Sequence, residues 1–315
     1  MKKLSSRWVA LLSLATGLAA SSSASATWTF AGVNNVANPS VAADASGISI
    51  SSVSGVYAAN GGTLSSGANA TTIVAAGANC STCGTAGNNA NTYGVSGFAS
   101  GATWTVNSSS QLQIYGGGLG MASDSTLGTA PNHALDNGPS TDSGDKINGV
   151  GNTEAVLLKF SSSVILSSIG IGYLSGDSDI SLFRYTGTGV ATLTGTAAAT
   201  MTNAGTGWQL VGNYGDLAVN SSALVNSVNS TGVGSSWWLI SAYNTSFGSA
   251  NKGTVDQGND YFKIYAVAGS ACTTGDCGGR NQGGRIPEPG SLALVAAGLV
   301  GAFGVRRRRT LNSKA

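Results

Sequence analysis

A central stretch of this chain gathers acidic side chains that together could bind a divalent cation. Six of the 13 acidic residues lie between Pro131 and Tyr185. The candidate oxygen ligands are Asp136, Asn137, Asp142, Asp145, Asp177 and Asp179. Calcium takes about six to eight oxygen ligands from such groups, but the spacing is not that of an EF-hand loop. Two interpretations stay open: a calcium site, or turn residues whose side chains bond to nearby backbone N–H groups.

Catalytic chemistry finds little support in the residue types. The chain has one histidine, His133, which could pair with Asp136, but it has no G-x-S-x-G turn and no H-E-x-x-H zinc motif. Glu154 and the aspartates leave a glycosidase-like carboxylate pair open. No phosphate-binding glycine loop is present either. We therefore expect no enzymatic activity, with a hydrolase as the least favoured alternative.

Tryptophans offer a second kind of binding chemistry, because their rings can stack on sugars. Trp104, Trp208, Trp237 and Trp238 lie in strand-like sequence. In a strand, Trp237 and Trp238 point to opposite faces, which predicts that one ring of this pair is exposed and could hold a carbohydrate. The alternative is that the tryptophans fill the core, the commoner fate of strand aromatics.

The four cysteines form two close pairs, Cys80 with Cys83 and Cys272 with Cys277. In an exported chain, such pairs predict two local disulfides. A zinc site would need two matched C-x-x-C hooks, and the second spacing is longer. Pairing between the two ends of the chain also stays open.

The amino-terminal residues have the pattern of a secretory signal peptide. Lys2, Lys3 and Arg7 precede an apolar stretch, and Ala24 and Ala26 frame a small-residue cleavage site. We predict that signal peptidase removes residues 1–26, so that Thr27 becomes the new amino terminus.

The carboxy-terminal residues combine three features in a fixed order. Pro287, Glu288 and Pro289 come first, and their prolines hold the backbone extended. An apolar segment follows, predicted as a short transmembrane helix over about 291–305. It is followed by the cluster Arg306, Arg307, Arg308 and Arg309. The apolar segment is short for a bilayer that usually needs about 20 residues, and the arginines place its end in the cytoplasm.

This tail, over 286–309, resembles the PEP-CTERM sorting signal. The resemblance implies recognition by an exosortase in the inner membrane of a Gram-negative bacterium, cleavage near the triplet, and transfer to the surface. It also implies an exopolysaccharide context. A plain tail anchor that is never cut is the alternative.

The net charge of +2 reflects the two ends of the chain. Three of the 15 basic residues lie in the signal peptide and five follow Val305, which leaves seven basic against 13 acidic residues between 27 and 289. This body is therefore net acidic, by six charges, and nucleic acid is excluded as a partner because no basic surface can neutralise phosphates.

Alternating apolar residues predict strands at 111–115, 168–174, 179–185, 207–212, 236–243 and 260–267. The more continuous apolar run 153–160 predicts a central strand buried on both faces. Turn-rich spacers separate these segments. We predict an all-β fold, an antiparallel sandwich or jelly roll over 27–285, with a subdivision near 120–130 left open.

From about residue 130 onward, the chain is similar to a family of exosortase-dependent surface proteins marked by a HALDN motif. His133-Ala-Leu-Asp-Asn137 carries the resemblance, with the strand segments that follow it. The resemblance implies a surface location and a β-rich body, and it assigns no catalytic residue. The prediction is an exported structural or adhesive protein of the biofilm matrix, with a carbohydrate- or calcium-binding module as the alternative.

Overall fold

The computed structural model describes residues 25–30, 46–65, 71–73, 79–80, 93–106, 112–123, 133–138, 147–148, 151–220, 224–258 and 260–278. The predicted cleavage residue Ala24 and the whole sorting tail lie outside these ranges. Asp142, Asp145 and Cys83 also lie outside them.

The described residues form strands joined by turns, with two short 3-10 helices. The strands are β1 (Ala26–Thr29), β2 (Ile50–Ser65), β3 (Thr71–Ile73), β4 (Asn79–Cys80), β5 (Tyr93–Phe98), β6 (Thr105–Val106), β7 (Leu112–Tyr115), β8 (Gly118–Met121), β9 (Leu135–Asp136), β10 (Ile147–Asn148), β11 (Asn152–Leu174), β12 (Ile180–Tyr185), β13 (Trp208–Tyr214), β14 (Asn226–Ser227), β15 (Ser235–Ala242) and β16 (Tyr261–Ala271). The 3-10 helices are Ala198–Thr200 and Thr245–Phe247. Neighbouring strands pair antiparallel, so the all-β prediction is confirmed.

The longest strand, β11, organises the body because its two halves have different partners. Its first half, 152–160, pairs with β2 on one side and β15 on the other. From Val164 onward it pairs with β16. The change of partners occurs at Ser161 and Ser162, which are exposed. The strand therefore turns back at these serines and contributes one half to each of two layers.

The main core lies between these two layers. From the first half of β11, Val156, Leu158 and Phe160 point into it, and Trp28 and Phe262 meet them from β1 and β16. Trp28 packs edge-on against Phe160 at 4.9 Å between ring centres. Its indole N–H donates to the carbonyl of Ile48 at 2.8 Å, which satisfies a polar atom inside the core.

A second core covers the opposite face of the first layer. Here Leu157, Trp237 and Phe183 pack against residues of the long connection between β12 and β13, including Leu193 and Met201. The first half of β11 is consequently buried on both faces, as its continuous apolar sequence predicts.

The strand predictions are confirmed, with one merger. The segments predicted at 153–160 and 168–174 are halves of the single strand β11. Strands from both sides of residues 120–130 share one sheet, since β2 pairs with β11, and β8 pairs with β16.

Among the described residues, no helix is long and apolar enough to cross a membrane. The segment predicted to do so, 291–305, lies outside them.

Candidate functional site

Three aspartates from distant parts of the chain meet at one end of the sandwich. Asp177 and Asp179 lie in the connection between β11 and β12, and Asp260 immediately precedes β16. One carboxylate oxygen from each lies within 4.8 Å of the others. Asp179 and Asp260 are fully buried, whereas Asp177 is partly exposed. We call this group the aspartate cluster.

Backbone N–H groups hold the two buried carboxylates in place. Asp179 accepts hydrogen bonds from the backbone of Asp216 at 2.8 Å and of Asp256 at 2.7 Å. Asp260 accepts one from the backbone of Asp179 at 2.5 Å. Gly215 makes this arrangement possible, because a Cβ there would lie 1.7 Å from the carbonyl oxygen of Thr254 and would push the 252–256 segment away.

The electrostatics of the cluster favour uptake of positive charge. Burial raises the pKa of Asp260 well above its ordinary value, and the neighbouring Asp179 raises it further. Burial likewise raises the pKa of Asp179 to about 7, although its two backbone hydrogen bonds act in the opposite direction. Burial is also the main cause that raises the pKa of Asp177. Three carboxylates this close need a proton or a cation between them.

Asn137, the last residue of the HALDN stretch, ties the cluster to the rest of the body. Its side-chain amide donates to Asp260 Oδ2 and, at 2.8 Å, to the carbonyl of Tyr243. Its side-chain oxygen accepts from the backbone of Gly258 at 2.9 Å and of Asp260 at 3.3 Å. The sequence places Asn137 among the metal ligands. In the structure it positions Asp260, because its own oxygen is already engaged by two N–H donors.

A buried chain of polar side chains continues from Asn137 across the first layer. Asn60 donates to the Asn137 carbonyl at 2.8 Å and accepts from the hydroxyl of Thr153 at 2.6 Å. Thr153 accepts from Asn244 at 2.8 Å, and Gln257 Nε2 donates to Asn60 at 3.3 Å. These bonds connect β2 with the start of β11 and with Asn244, just after β15, so the surroundings of the aspartate cluster are rigid.

The other polar residues of the HALDN stretch lie beside the cluster, not in it. Asp136 is buried in β9, where it pairs with Tyr261. His133 stacks on Tyr115 at 4.0 Å between ring centres. The buried Lys263 lies 4.5 Å from the ring centre of Tyr173 and 5.2 Å from that of Tyr115. Burial lowers the pKa of His133 to about 4, so this ring is neutral at pH 7.

A disulfide-closed loop forms the opposite end of the body. Cys272 and Cys277 are bonded, which confirms this predicted pair. Within the loop, Asp276 forms an ion pair with the buried Arg184. Ser163 Oγ donates to the carbonyl of Cys277 at 2.6 Å, and the backbone of Gly234 donates to the carbonyl of Asp276 at 2.8 Å. We call residues 272–278 the clasp.

The expectation that one ring of the Trp237–Trp238 pair is exposed is wrong. Trp238 is fully buried in the main core and Trp237 is 8% exposed in the second core. The two rings do point to opposite faces of β15, but both faces of this layer are covered. Trp104 and Trp208 are buried as well. None of these rings presents a face to a sugar.

The structure thus brings together some of the predicted calcium ligands and adds others. Asp177 and Asp179 meet, and Asn137 bonds to Asp260 of the same cluster. Asp136 lies apart, and Asp142 and Asp145 lie outside the described residues. Asp260 belongs to the cluster although it was not among the predicted ligands, and neither were the nearby Asp216 and Asp256. A signal was available, because Asp260 is the first residue of the predicted strand 260–267 and Asp256 lies in the turn just before it.

At the predicted signal cleavage site, Ala26 and Thr27 belong to β1. Ala26 is buried and pairs with Gly269, while Thr27 is exposed and pairs with Ala268. Cleavage between them would leave Thr27, Trp28 and Thr29 of this strand in place.

Comparison with known proteins bears on the tail. Residues 285–309 match the family model described as the PEP-CTERM protein-sorting motif. This match covers Pro287, Glu288 and Pro289 together with the apolar segment and the arginines. Searches among curated proteins and solved structures find no significant match. The tail therefore marks the protein for exosortase-dependent sorting to the cell surface.

Proposed function

We propose that this protein, delivered by its PEP-CTERM tail, is a structural or adhesive component of an exopolysaccharide matrix at the bacterial surface. In this proposal, signal peptidase removes residues 1–26, the tail holds the protein in the inner membrane transiently, and exosortase releases the body from it. The body then acts without catalysis. The observation that carries the proposal is the sorting motif at 285–309.

The architecture supports a structural role. Two cores cover both faces of the first layer, and the Cys272–Cys277 disulfide closes a loop directly after β16. Buried side-chain hydrogen bonds connect β2, β11 and the residues that follow β9 and β15. Such satisfied networks make a body rigid. A rigid acidic body suits a hydrated polysaccharide layer, which it can occupy without condensing on nucleic acid.

Processing and location test this proposal together. With the cognate exosortase present, the wild-type chain should lose mass at its carboxy terminus and be recovered from the extracellular polysaccharide fraction. Glu288→Ala should stay at full length in the membrane fraction. Recovery of the intact tail, arginines included, on exported wild-type protein would contradict processing. Complete recovery in the matrix-free medium would contradict the matrix role.

A second candidate function is calcium binding at the aspartate cluster. The favouring observation is that three carboxylate oxygens lie within 4.8 Å of one another, a spacing that a cation with Ca–O bonds of about 2.4 Å can bridge. Calorimetric titration of the purified body with Ca²⁺ at pH 7.5 tests it. A binding signal in the wild type that disappears in Asp177→Asn supports the site; equal signals in both would refute it.

A further inference from the structure

The body has two chemically different ends, and the strands run from one to the other. β16 begins beside Asp260 of the aspartate cluster and ends at Ala271, directly before the clasp. Its 11 residues span roughly 35 Å at about 3.3 Å per residue. β12 covers part of this distance, from Ile180 next to the cluster to Tyr185. The Tyr185 carbonyl accepts a hydrogen bond from the hydroxyl of Ser235 near the clasp.

Both ends of the described chain leave the body at the clasp. The last described residue, Gly278, belongs to the clasp itself. At the other terminus, Ala26 pairs with Gly269, three residues before Cys272. The segment predicted to engage signal peptidase and the tail recognised by exosortase therefore depart from the same end.

The tether between the clasp and the sorting triplet is short. Eight residues lie between Gly278 and Pro287, so the clasp can be no more than about 30 Å from the triplet even when the chain is fully extended. The aspartate cluster lies roughly a further 35 Å away along β16. Residues 272–278 do not lengthen this tether, because the Cys272–Cys277 disulfide and the ion pair with Arg184 fix them to the body.

The two ends of the body also differ in surface charge. At the aspartate end, Asp177, Asp216 and Asp256 reach the surface together with Lys252, so the surface charge there is net negative. At the clasp end, the exposed described side chains are mainly hydroxyls, such as Ser161, Ser162, Thr231, Thr273 and Thr274. The charge there, Asp276, is paired with Arg184.

From these observations we infer that the clasp end is the surface that faces exosortase at the membrane during sorting, and that the aspartate end points outward. The inference rests on exosortase processing of the tail and adds to it the face of the body that meets the enzyme. The partner is the exosortase, held against a hydroxyl-rich, nearly uncharged surface by a tether of eight residues.

Site-specific photocrosslinking in membranes that contain the exosortase tests this orientation. A photoreactive phenylalanine is placed at one of four exposed positions: Ser162 or Thr273 at the clasp end, Lys252 or Thr254 at the aspartate end. The full-length chain should form exosortase adducts at least fivefold more from Ser162 and Thr273. A matched chain with about 20 Gly/Ser residues inserted after Gly279 should lose this bias, since the longer tether no longer orients the body.

The outcomes separate the inference from the proposed function. Equal adducts from both ends, stronger adducts from Lys252 and Thr254, or no adduct from any position in a chain whose tail is cut would each overturn the orientation alone. A tail that is not cut in the unlabelled wild type would count against exosortase processing itself.

Discussion

The side chain of Asn137 binds Asp260 twice: its amide N–H donates to the buried carboxylate, and its oxygen accepts from the Asp260 backbone at 3.3 Å. The same oxygen accepts from Gly258, and the amide also donates to Tyr243. One residue thus joins the start of β16, the end of β15 and the segment that carries β9. The aspartate cluster depends on this connection.

Replacing Asn137 should therefore destabilise the protein strongly. Asn137→Ala leaves several buried donors and acceptors without partners, at about 1–3 kcal/mol for an unsatisfied group. We expect the free energy of unfolding to fall by roughly 3 kcal/mol in urea denaturation. Asn203→Ala, at an exposed asparagine in a turn, is the matched control and should change stability by less than about 0.5 kcal/mol. Similar losses in both variants would contradict the role given to Asn137.

Without divalent cations, the stability contributed by Asp179 should decrease as pH rises from about 4 to about 7. The pKa of Asp179 is about 7 in the folded chain, against 3.8 for an unperturbed aspartate. The folded state therefore keeps a proton that the unfolded state loses in this range. The contribution of Asp179 to the free energy of unfolding should fall by up to about 1.4 kcal/mol per pH unit.

The slope, and not the absolute stability, identifies the group. Asp179→Asn cannot ionise, so its free energy of unfolding should change more favourably than that of the wild type as pH rises from 4 to 7, even if the variant is weaker at every pH. Buried Asp260 contributes in the same direction. His133, whose pKa is lowered to about 4, makes stability rise with pH over the same window in both chains, so the comparison between them carries the test. Equal pH dependence of wild type and Asp179→Asn in chelator would show that Asp179 is ionised throughout.

Calcium should replace the proton that the cluster takes up. We expect 1 mM Ca²⁺ to raise the melting midpoint by roughly 5 °C at pH 8 and by less at pH 5, where protons compete. Asp177→Asn should remove the shift. Asp276→Asn, an aspartate at the clasp end, should keep it. Identical midpoints in Ca²⁺ and chelator at pH 8 would remove calcium as a ligand.

The disulfide and the buried ion pair of the clasp should act as one unit. Cys272→Ser combined with Cys277→Ser should lower the free energy of unfolding by about 1–3 kcal/mol. Arg184→Gln should cost a similar amount, because Arg184 also donates to the carbonyls of Gly234 and Asp276.

The triple variant should then lose less than the sum of the two effects, since an open loop no longer presents Asp276 to Arg184. Urea denaturation of the four chains measures the coupling. Additive losses would show that the loop stays in place without its disulfide.

The adjacent tryptophans should respond unequally to the same substitution. The indole N–H of Trp238 donates to the carbonyls of Ser235 at 2.9 Å and Val164 at 3.2 Å, whereas that of Trp237 has no hydrogen-bond partner. Trp238→Phe should therefore cost more, by about 1–2 kcal/mol in free energy of unfolding. Neither variant should alter retention on exopolysaccharide. Reduced retention by folded Trp237→Phe would show instead that Trp237 contributes to sugar binding.

The sequence carries enough local information for the strands and the tail. Period-two alternation marks β7, β12 and β16, and the order of prolines, apolar segment and arginines marks the sorting signal. Both are properties of consecutive residues. The close spacing of Cys272 and Cys277 likewise allowed their bond to be predicted.

Long-range packing decided the rest. The return of β11 at Ser161 and Ser162 brings two layers together, and it hides both Trp237 and Trp238 although alternation alone expects one outward ring. Asp260 meets Asp177 and Asp179 across more than 80 residues of chain. No local pattern encodes these encounters, because they depend on which strands pair and which loops close over the sheet. The chain alone therefore determined where the protein is sent and what it is built from, and the tertiary structure determined which polar groups share a buried site.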